Sequence, residues 1–325
     1  MRIGVYGAGA IGGYLGVRLA AAGHELTLLG RPWLAELGEL SATDLGAEPV
    51  RATPRVVFEA SELLGCELVL VTVKGGDSEA AGRALAGFEG PVISLQNGLH
   101  NPARIASGLG REVVPGLVAF NVVMEGASFR KATSMDVFVQ QGAAGSSLAQ
   151  ALRQAGEGAR TVPDMAAVQA GKLLLNLGNG VCAATGLSIQ QMTRTRASRR
   201  VLAACIDEGV RAFRAAGQAV SRVGPLPASA LVHLLPLPDW FVHRVARTLI
   251  SIDERAMSST LQDLHRNKRT EIDDLNGEIV ALAPEHSPVN RRVVQAVKRL
   301  ETRGAAPLAF VQPETLLAPS SGLGS

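Results

Sequence analysis

The chain is poor in the residues that build most disulfide, metal and nucleic-acid sites. Its 325 residues include three cysteines, Cys66, Cys182 and Cys205, far apart and never in a CxxC pair. That excludes a disulfide framework and fits buried thiols in a reducing compartment. Six histidines show neither HExxH nor paired ligand spacing, so no metal site is expected. Aromatic residues make up 4% of the chain, too few for a platform on which bases stack, and the net charge of +3 comes without a basic block. No nucleic-acid partner is expected. The pairs Arg199-Arg200 and Arg291-Arg292 read as solvated helix faces. No apolar run reaches the ~20 residues of a membrane helix. The apolar start is a glycine-broken strand and helix rather than a signal peptide. A cytoplasmic protein without membrane contacts is the expectation. With 47% hydrophobic and 19% charged residues, the composition is that of an ordinary globular protein, long enough for two domains.

What is present is concentrated in the first twelve residues. Arg2-Ile3-Gly4-Val5-Tyr6 reads as a buried strand running into Gly7-Ala8-Gly9-Ala10-Ile11-Gly12. Gly7 permits the tight turn, Gly9 lets backbone approach a pyrophosphate, and Gly12 lets the next helix pack on the strand. Ala10 and Ile11 open a helix whose free N–H groups and positive dipole end suit that anion. Gly23 stops the helix, and Glu25 to Leu29 completes a βαβ unit. An NAD site usually places an acid at the end of this second strand; here stand Gly30, Arg31 and Pro32. The planar fork of Arg31 can pair with a 2′-phosphate, so NADP(H) is expected over NAD.

Strands and helices alternate up to about residue 120. Glu67 to Val73 and Pro91 to Leu95 read as buried parallel strands, and Val113 to Phe120 as another, interrupted by Pro115-Gly116. Asn121 to Glu125 and Met135 to Gln140 read as antiparallel extensions at one sheet edge. Gly142 to Ser147 reads as a turn-rich connector. From Asp164, a plausible N-cap, the texture becomes helical. Helices are expected from there to Ala183-Ala184, and over 197–216, 241–250, 258–265, 271–282 and 290–302. Val223 to Trp240, rich in proline and leucine, reads as a surface excursion. The expected class is α/β: a Rossmann-type dinucleotide-binding domain over 1–163, an all-helical domain over 164–315, and a mobile tail over 316–325. The cleft between the domains is the expected site.

Three groups of residues could carry chemistry. Lys172, Asn176 and Asn179 fall at i, i+4 and i+7, on one face of an otherwise apolar helix. They could offer a cation and two amides to a substrate. Equally, Lys172 could snorkel to solvent while the asparagines bond to a neighbouring helix; helix geometry alone leaves the two readings level. In the stretch from Ser258-Ser259 to Asn276-Gly277, Thr270 and Asp273 have capping-box spacing, so a helix is expected to start there. Glu271 would sit in its first turn, where an acid simply complements the dipole. At the strand ends, Lys74 follows Val71-Thr72-Val73 and can reach over the cofactor edge. Asn97, in Gln96-Asn97-Gly98, is either a nicotinamide neighbour or a turn residue.

Together these motifs resemble the ketopantoate reductase (2-dehydropantoate 2-reductase) family. The matching pieces are GAGAIG, Val-Thr-Val-Lys74, Gln96-Asn97-Gly98, Lys172 with Asn176, and Ser258-Ser259 through Arg269-Thr270-Glu271-Ile272-Asp273 to Asn276-Gly277, in the family's order over most of the chain. The resemblance implies NADPH-dependent reduction of a 2-keto acid, ketopantoate first, to a 2-hydroxy acid in pantothenate biosynthesis. It implies Lys172 as the catalytic lysine and Glu271 as the acid that orients substrate. Asn97 and Asn176 are then positioning amides, Ser259 the substrate-carboxylate contact, and Arg31 with Lys74 the 2′-phosphate pair. The family usually carries another asparagine four residues after Asn176, where this chain has Gly180. Asn179, one place earlier and about 100° around the helix, is kept as a further substrate-binding amide. A related reductase of another carbonyl or imine is the alternative, and a catalytically silent NADP-binding sensor a more distant one. A homodimer stays open.

Overall fold

In the computed structural model the chain divides into two compact units, Met1–Ala166 and Ala167–Ser325. The structure describes residues 1–242, 244, 257–303 and 306–318.

The first unit alternates strand and helix as its apolar runs dictate. β1 (Arg2–Tyr6), α1 (Ala10–Ala21) and β2 (Glu25–Leu29) come first, followed by α2 (Pro32–Glu36) and three short strands, β3 (Leu40–Thr43), β4 (Val50–Ala52) and β5 (Arg55–Val57). Then come β6 (Leu68–Val71), α3 (Ser78–Ala84), β7 (Val92–Ser94), α4 (Asn101–Leu109) and β8 (Val114–Val118). β9 (Val122–Glu125), β10 (Ser128–Lys131), β11 (Val137–Gln140), α5 (Ala143–Gln154) and β12 (Ala159–Val162) complete it.

The main sheet has the order β12-β11-β8-β7-β6-β1-β2-β5. From β5 to β8 every pairing is parallel. In chain order those six strands follow 3-2-1-4-5-6, the doubly wound order whose chain reversal lies between β1 and β6. Val5, Val69, Leu70 and Val71 are fully buried, as expected for central strands covered on both faces.

Val137–Gln140 does pair antiparallel, with β8. Asn121 to Glu125, however, contributes to a separate four-stranded sheet, β4-β3-β10-β9. That small sheet packs on α1: a Cβ at Gly13 would lie 2.2 Å from the Phe129 ring. A buried ionic cluster joins the same elements. Glu157 accepts from Tyr14 Oη (2.6 Å) and Lys131 Nζ (2.9 Å) and lies 3.1 Å from Arg18 Nε. The stretch from Gly142 is not a connector but the start of α5. Its Leu148, Ala149, Ala151 and Leu152 are buried, and a Cβ at Gly145 would lie 2.1 Å from the Gln140 carbonyl. Close packing there overrides the weak helix propensity of Gly and Ser.

Among its described residues the second unit contains helices and no strand. α6 (Met165–Thr185) opens it, starting directly after Asp164. α7 (Ile189–Arg194), α8 (Arg196–Ala215) and α9 (Ala228–Leu234) follow, then α10 (Ser259–His265), α11 (Asn276–Leu282), α12 (Pro288–Glu301) and α13 (Pro313–Leu317). Ser188 and Gln191 form a capping box at α7. α12 is capped from outside: Glu208 of α8 accepts from Val289 N (2.8 Å) and Asn290 N (2.9 Å), an anion held at a helix N-terminus.

Arg199 is not on a solvated face. It is fully buried in α8 and donates to the carbonyls of Thr193, Leu235 and Leu237 and to Asp239 Oδ1. The Pro-Leu excursion is thereby held against α8. The helix expected over 271–282 is broken. Residues 272–274 form a 3-10 turn, and α11 starts at Asn276 after Leu275. Thr270 Oγ1 does cap this turn, accepting from Ile272 N, but the acid that accepts from Thr270 N is Glu301 of α12 (2.6 Å). Asp273 pairs instead with Lys298. The tail expected from 316 starts too early, since Leu316 is buried in α13 and its carbonyl accepts from Arg292. Most of the helix expected over 241–250, and residues 319–325, lie outside the described residues.

Candidate active site

In the first unit the expected cofactor residues gather at the carboxyl ends of β1, β2, β6 and β7. Gly7 follows β1 with φ +110°, a backbone that side chains rarely adopt, and a Cβ there would lie 2.7 Å from Val73 Cγ1. The N–H groups of Gly7 and Ala8 donate to the Leu29 carbonyl at the end of β2. Gly12 lies hard against the strand: a Cβ there would be 2.3 Å from the Gly7 carbonyl and 2.4 Å from Thr72 Oγ1. Gly9, by contrast, is exposed and has open space where a Cβ would stand. No side chain caps α1 and no acid sits in its first turn. The N–H groups of Ala10, Ile11 and Gly12 therefore open a twelve-residue helix whose positive end faces no protein anion of its own first turn. These features fit a dinucleotide pyrophosphate.

Around that loop stand exposed polar residues. Arg31 precedes α2, just beyond Gly30, whose N–H donates to the Val57 carbonyl. Lys74 follows β6 and leads into a 3-10 turn over Gly75–Asp77. Asn97 follows β7, and its carbonyl accepts from Asn101 Nδ2. Thr72 has no role in the sequence reading, yet its Oγ1 donates to the Gly7 carbonyl at 2.7 Å, tying the end of β6 to the glycine loop. The available signal was a lone hydroxyl at the end of an apolar strand.

In the second unit Lys172, Asn176 and Asn179 share one face of α6 over about two turns. Lys172 is 6% exposed, among the buried leucines Leu173, Leu174 and Leu177. Burial pushes its ammonium down to a pKa of about 8, because the charged form loses hydration there. Asn176 and Asn179 are half-buried on the same face. Two segments from far along the chain dock at Asn179 and Gly180. Ser258 caps α10, accepting from Leu261 N, and its hydroxyl donates to the Asn179 carbonyl (3.3 Å), so the contact here is made by buried Ser258 while the neighbouring Ser259 is exposed. The segment after Glu271 docks at Gly180, where a Cβ would lie 2.1 Å from Asn276 Oδ1 and 2.9 Å from Ile272 Cδ1. The departure at position 180 thus has a physical cause in this chain: the carboxamide of Asn276 occupies the space a side chain would need.

Asn276 is itself locked. Its Nδ2 donates to Asn290 Oδ1 (2.9 Å), and Asn290 Nδ2 donates to Glu208 Oε2 (2.8 Å). All three are buried. This polar chain ties α11 to α12 and α8, and the contact of α11 and the preceding turn with α6 is the packing of Asn276 and Ile272 at Gly180.

Two family models match in tandem: ketopantoate reductase PanE/ApbA over residues 3–143, and its C-terminal part over residues 164–301. This chain belongs to the ketopantoate reductase family. Among curated relatives, the 2-dehydropantoate 2-reductase of Archaeoglobus fulgidus is 27% identical over 314 residues, covering 93% of this chain and 98% of that one. The enzyme of the same name from Halobacterium salinarum is 28% identical over 330 residues, covering 94% and 100%. Among solved structures, a PanE/ApbA family ketopantoate reductase from Ralstonia eutropha JMP134 superposes with a TM-score of 0.78 at 29% identity, covering 93% of this chain and 98% of that one. The ketopantoate reductase family is one of dinucleotide-binding oxidoreductases, matching the glycine loop and sheet order described above. No helix of the described residues is long and apolar enough to cross a membrane.

Proposed function

We propose that this chain is an NADPH-dependent 2-keto-acid reductase that converts ketopantoate to pantoate. The observation that carries the reading is Lys172, an amine buried in an apolar helix with asparagines on its face. Burial makes the ammonium a readier proton donor than an ordinary lysine, and a dry setting strengthens its pull on developing negative charge. NADPH, when bound, supplies the hydride.

Each remaining step falls to a side chain. Lys172 meets the charge that develops on the carbonyl oxygen and gives it a proton. Glu271, at the turn docked on Gly180, orients the substrate. Asn176, Asn179 and Asn97 hold polar atoms of substrate and cofactor in register, and Ser259 contacts the substrate carboxylate. Gly7, Gly9, Ala10, Ile11 and Gly12 cradle the pyrophosphate. Arg31 and Lys74, both exposed cations beyond strand ends, take the 2′-phosphate.

The test is NADPH oxidation by the purified protein with ketopantoate beside a panel of other 2-keto acids, repeated with NADH. Efficient, NADPH-preferring turnover of ketopantoate supports the reading. Preference for another keto acid would replace the substrate and direct attention to Gly180 and Asn276. A preference for NADH would remove the phosphate role from Arg31 and Lys74.

A further inference from the structure

Resting on the assignment of Lys74 and Asn97 to the cofactor site, we infer that Ser78 is a positioning residue, the buried hydroxyl through which the Lys74 loop and the Asn97 loop are held at one fixed spacing. Ser78, Gln96 and Asn101 lie outside the residues that touch cofactor or substrate in the reading above.

The β6–β7 pairing ends before either loop begins. The β6–β7 ladder runs Val69↔Val92, Leu70↔Ile93 and Val71↔Ser94, and its last bond is Leu95 N to the Val71 carbonyl. Past that point the end of β6 turns to β1, with Thr72 N donating to the Tyr6 carbonyl. Lys74 and Asn97 both stand beyond the last rung.

Side chains take over where the ladder stops. Gln96 Nε2 donates to the Val73 carbonyl (2.7 Å), the residue before Lys74, and to Ser78 Oγ (2.8 Å). Ser78 Oγ donates to Asn101 Oδ1 (3.0 Å), and Asn101 Nδ2 donates to the carbonyl of Asn97 itself. Ser94 Oγ completes the set by donating to Gln96 Oε1 (3.0 Å). Ser78, Ser94, Gln96 and Asn101 are all at most 5% exposed. Donation runs one way, from Ser94 to Asn97, and Ser78 sits at its centre with its one proton committed to Asn101 and a lone pair to Gln96. A buried relay with a single direction is sensitive to any change of donor for acceptor.

The supports of the relay are rigid. Ser78 begins α3 and Asn101 begins α4. The two helices touch backbone to backbone: a Cβ at Gly82 would lie 2.1 Å from the Ile105 carbonyl, and one at Gly108 would lie 2.2 Å from the Glu79 carbonyl. This packing sets the separation of the two helix starts, and Ser78 Oγ bonds across it to Asn101, beside the direct bond from Gln96 to the Val73 carbonyl.

The experiment compares cofactor preference in Ser78→Ala, Lys74→Ala and the double variant, using the full chain with NADPH and with NADH. Ser78→Ala is expected to lower the NADPH-over-NADH ratio of kcat/KM about tenfold, the size of one buried hydrogen bond. The double variant should lose no more preference than Lys74→Ala alone, because Ser78 acts through Lys74. Asn101→Asp, isosteric but facing the Asn97 carbonyl with an acceptor, should lower kcat about tenfold with either cofactor. Additive losses in the double variant, or a Ser78→Ala protein that melts earlier with an unchanged cofactor ratio, would overturn the inference and reduce the relay to a stabilising one. A wild-type protein without NADPH preference would fail earlier, at the assignment of Lys74, and a normal Asn101→Asp would then remove the Asn97 arm as well.

Discussion

The two units present their candidate residues in opposite ways. In the first, Gly9, Arg31, Lys74 and Asn97 are exposed, and main-chain geometry puts them in place: a glycine turn, an uncapped helix end and the ends of parallel strands. In the second, the central residue is Lys172, 6% exposed in an apolar helix, and its companions come from segments that dock by side chain. Holding a large anion needs N–H groups and cations that keep their water until the ligand arrives. A lysine gives up its proton more readily when burial or a neighbouring cation lowers its pKa, and at Lys172 the cause is burial.

The strongest break of this contrast is Lys172→Ala. Turnover should fall on the order of 10²–10⁴-fold, while NADPH affinity measured by fluorescence titration stays within a factor of two or so. Undiminished turnover would take Lys172 out of the mechanism. The converse break is Gly12→Ala. Its new Cβ meets the Gly7 carbonyl and Thr72 Oγ1, so the loop must shift. NADPH affinity should weaken roughly 10–100-fold, an overpacking cost of about 1–3 kcal/mol, in the same titration.

A smaller effect is expected at Gly180→Ala, which pushes on Asn276 and Ile272. We expect kcat to drop roughly tenfold and the melting temperature to fall by several degrees, with NADPH binding intact. A normal kcat would detach Glu271 from the packing at α6.

The pH profile sharpens the comparison most gently. Lys172 is protonated below about 8 and neutral above it, because burial lowers it from the ordinary lysine value. In the reductive direction kcat/KM should be flat below that value and fall about tenfold per unit above it. Lys172→Arg, whose guanidinium keeps its proton, should move the limb upward at a lower overall rate. A limb that stays in place belongs to another group.

The same contrast explains what could be read from the chain before its fold was known. The glycine loop, Arg31 and the buried strands are local: their spacing is fixed by one turn and one helix, so the residues announce themselves. The parallel strands of the first unit and the helical second unit followed from the alternation of apolar runs, while the strand order did not. What escaped was set by contacts distant in sequence. The helical start of α5 depends on backbone packing at Gly145, the small sheet on pairing of Ser128–Lys131 with Leu40–Thr43, and the break before α11 on Glu301 taking the Thr270 N–H. Glu271 and Ser259 were readable only by resemblance, since nothing local reveals that both segments dock beside Asn179 and Gly180. Thr72 and Ser78 were hidden because a single hydroxyl near a strand end is common and usually idle.

Arg199 has a consequence for how this chain manages loop entropy. Its guanidinium gathers main-chain oxygens from Thr193, Leu235 and Leu237 together with Asp239, closing some forty residues of chain with one side chain. Other proteins obtain such a closure from a disulfide; this one has three dispersed cysteines and uses hydrogen bonds instead. Because the closure cost of a flexible stretch rises only with the logarithm of its length, the irregular residues between Ser221 and α9 can be lengthened at little thermodynamic penalty, whereas α8, inside the same closure, cannot. The clasp tolerates no such editing. The tolerant part of the Pro-Leu excursion is therefore the short stretch before α9, clear of Ser221 and of the acceptors of Arg199.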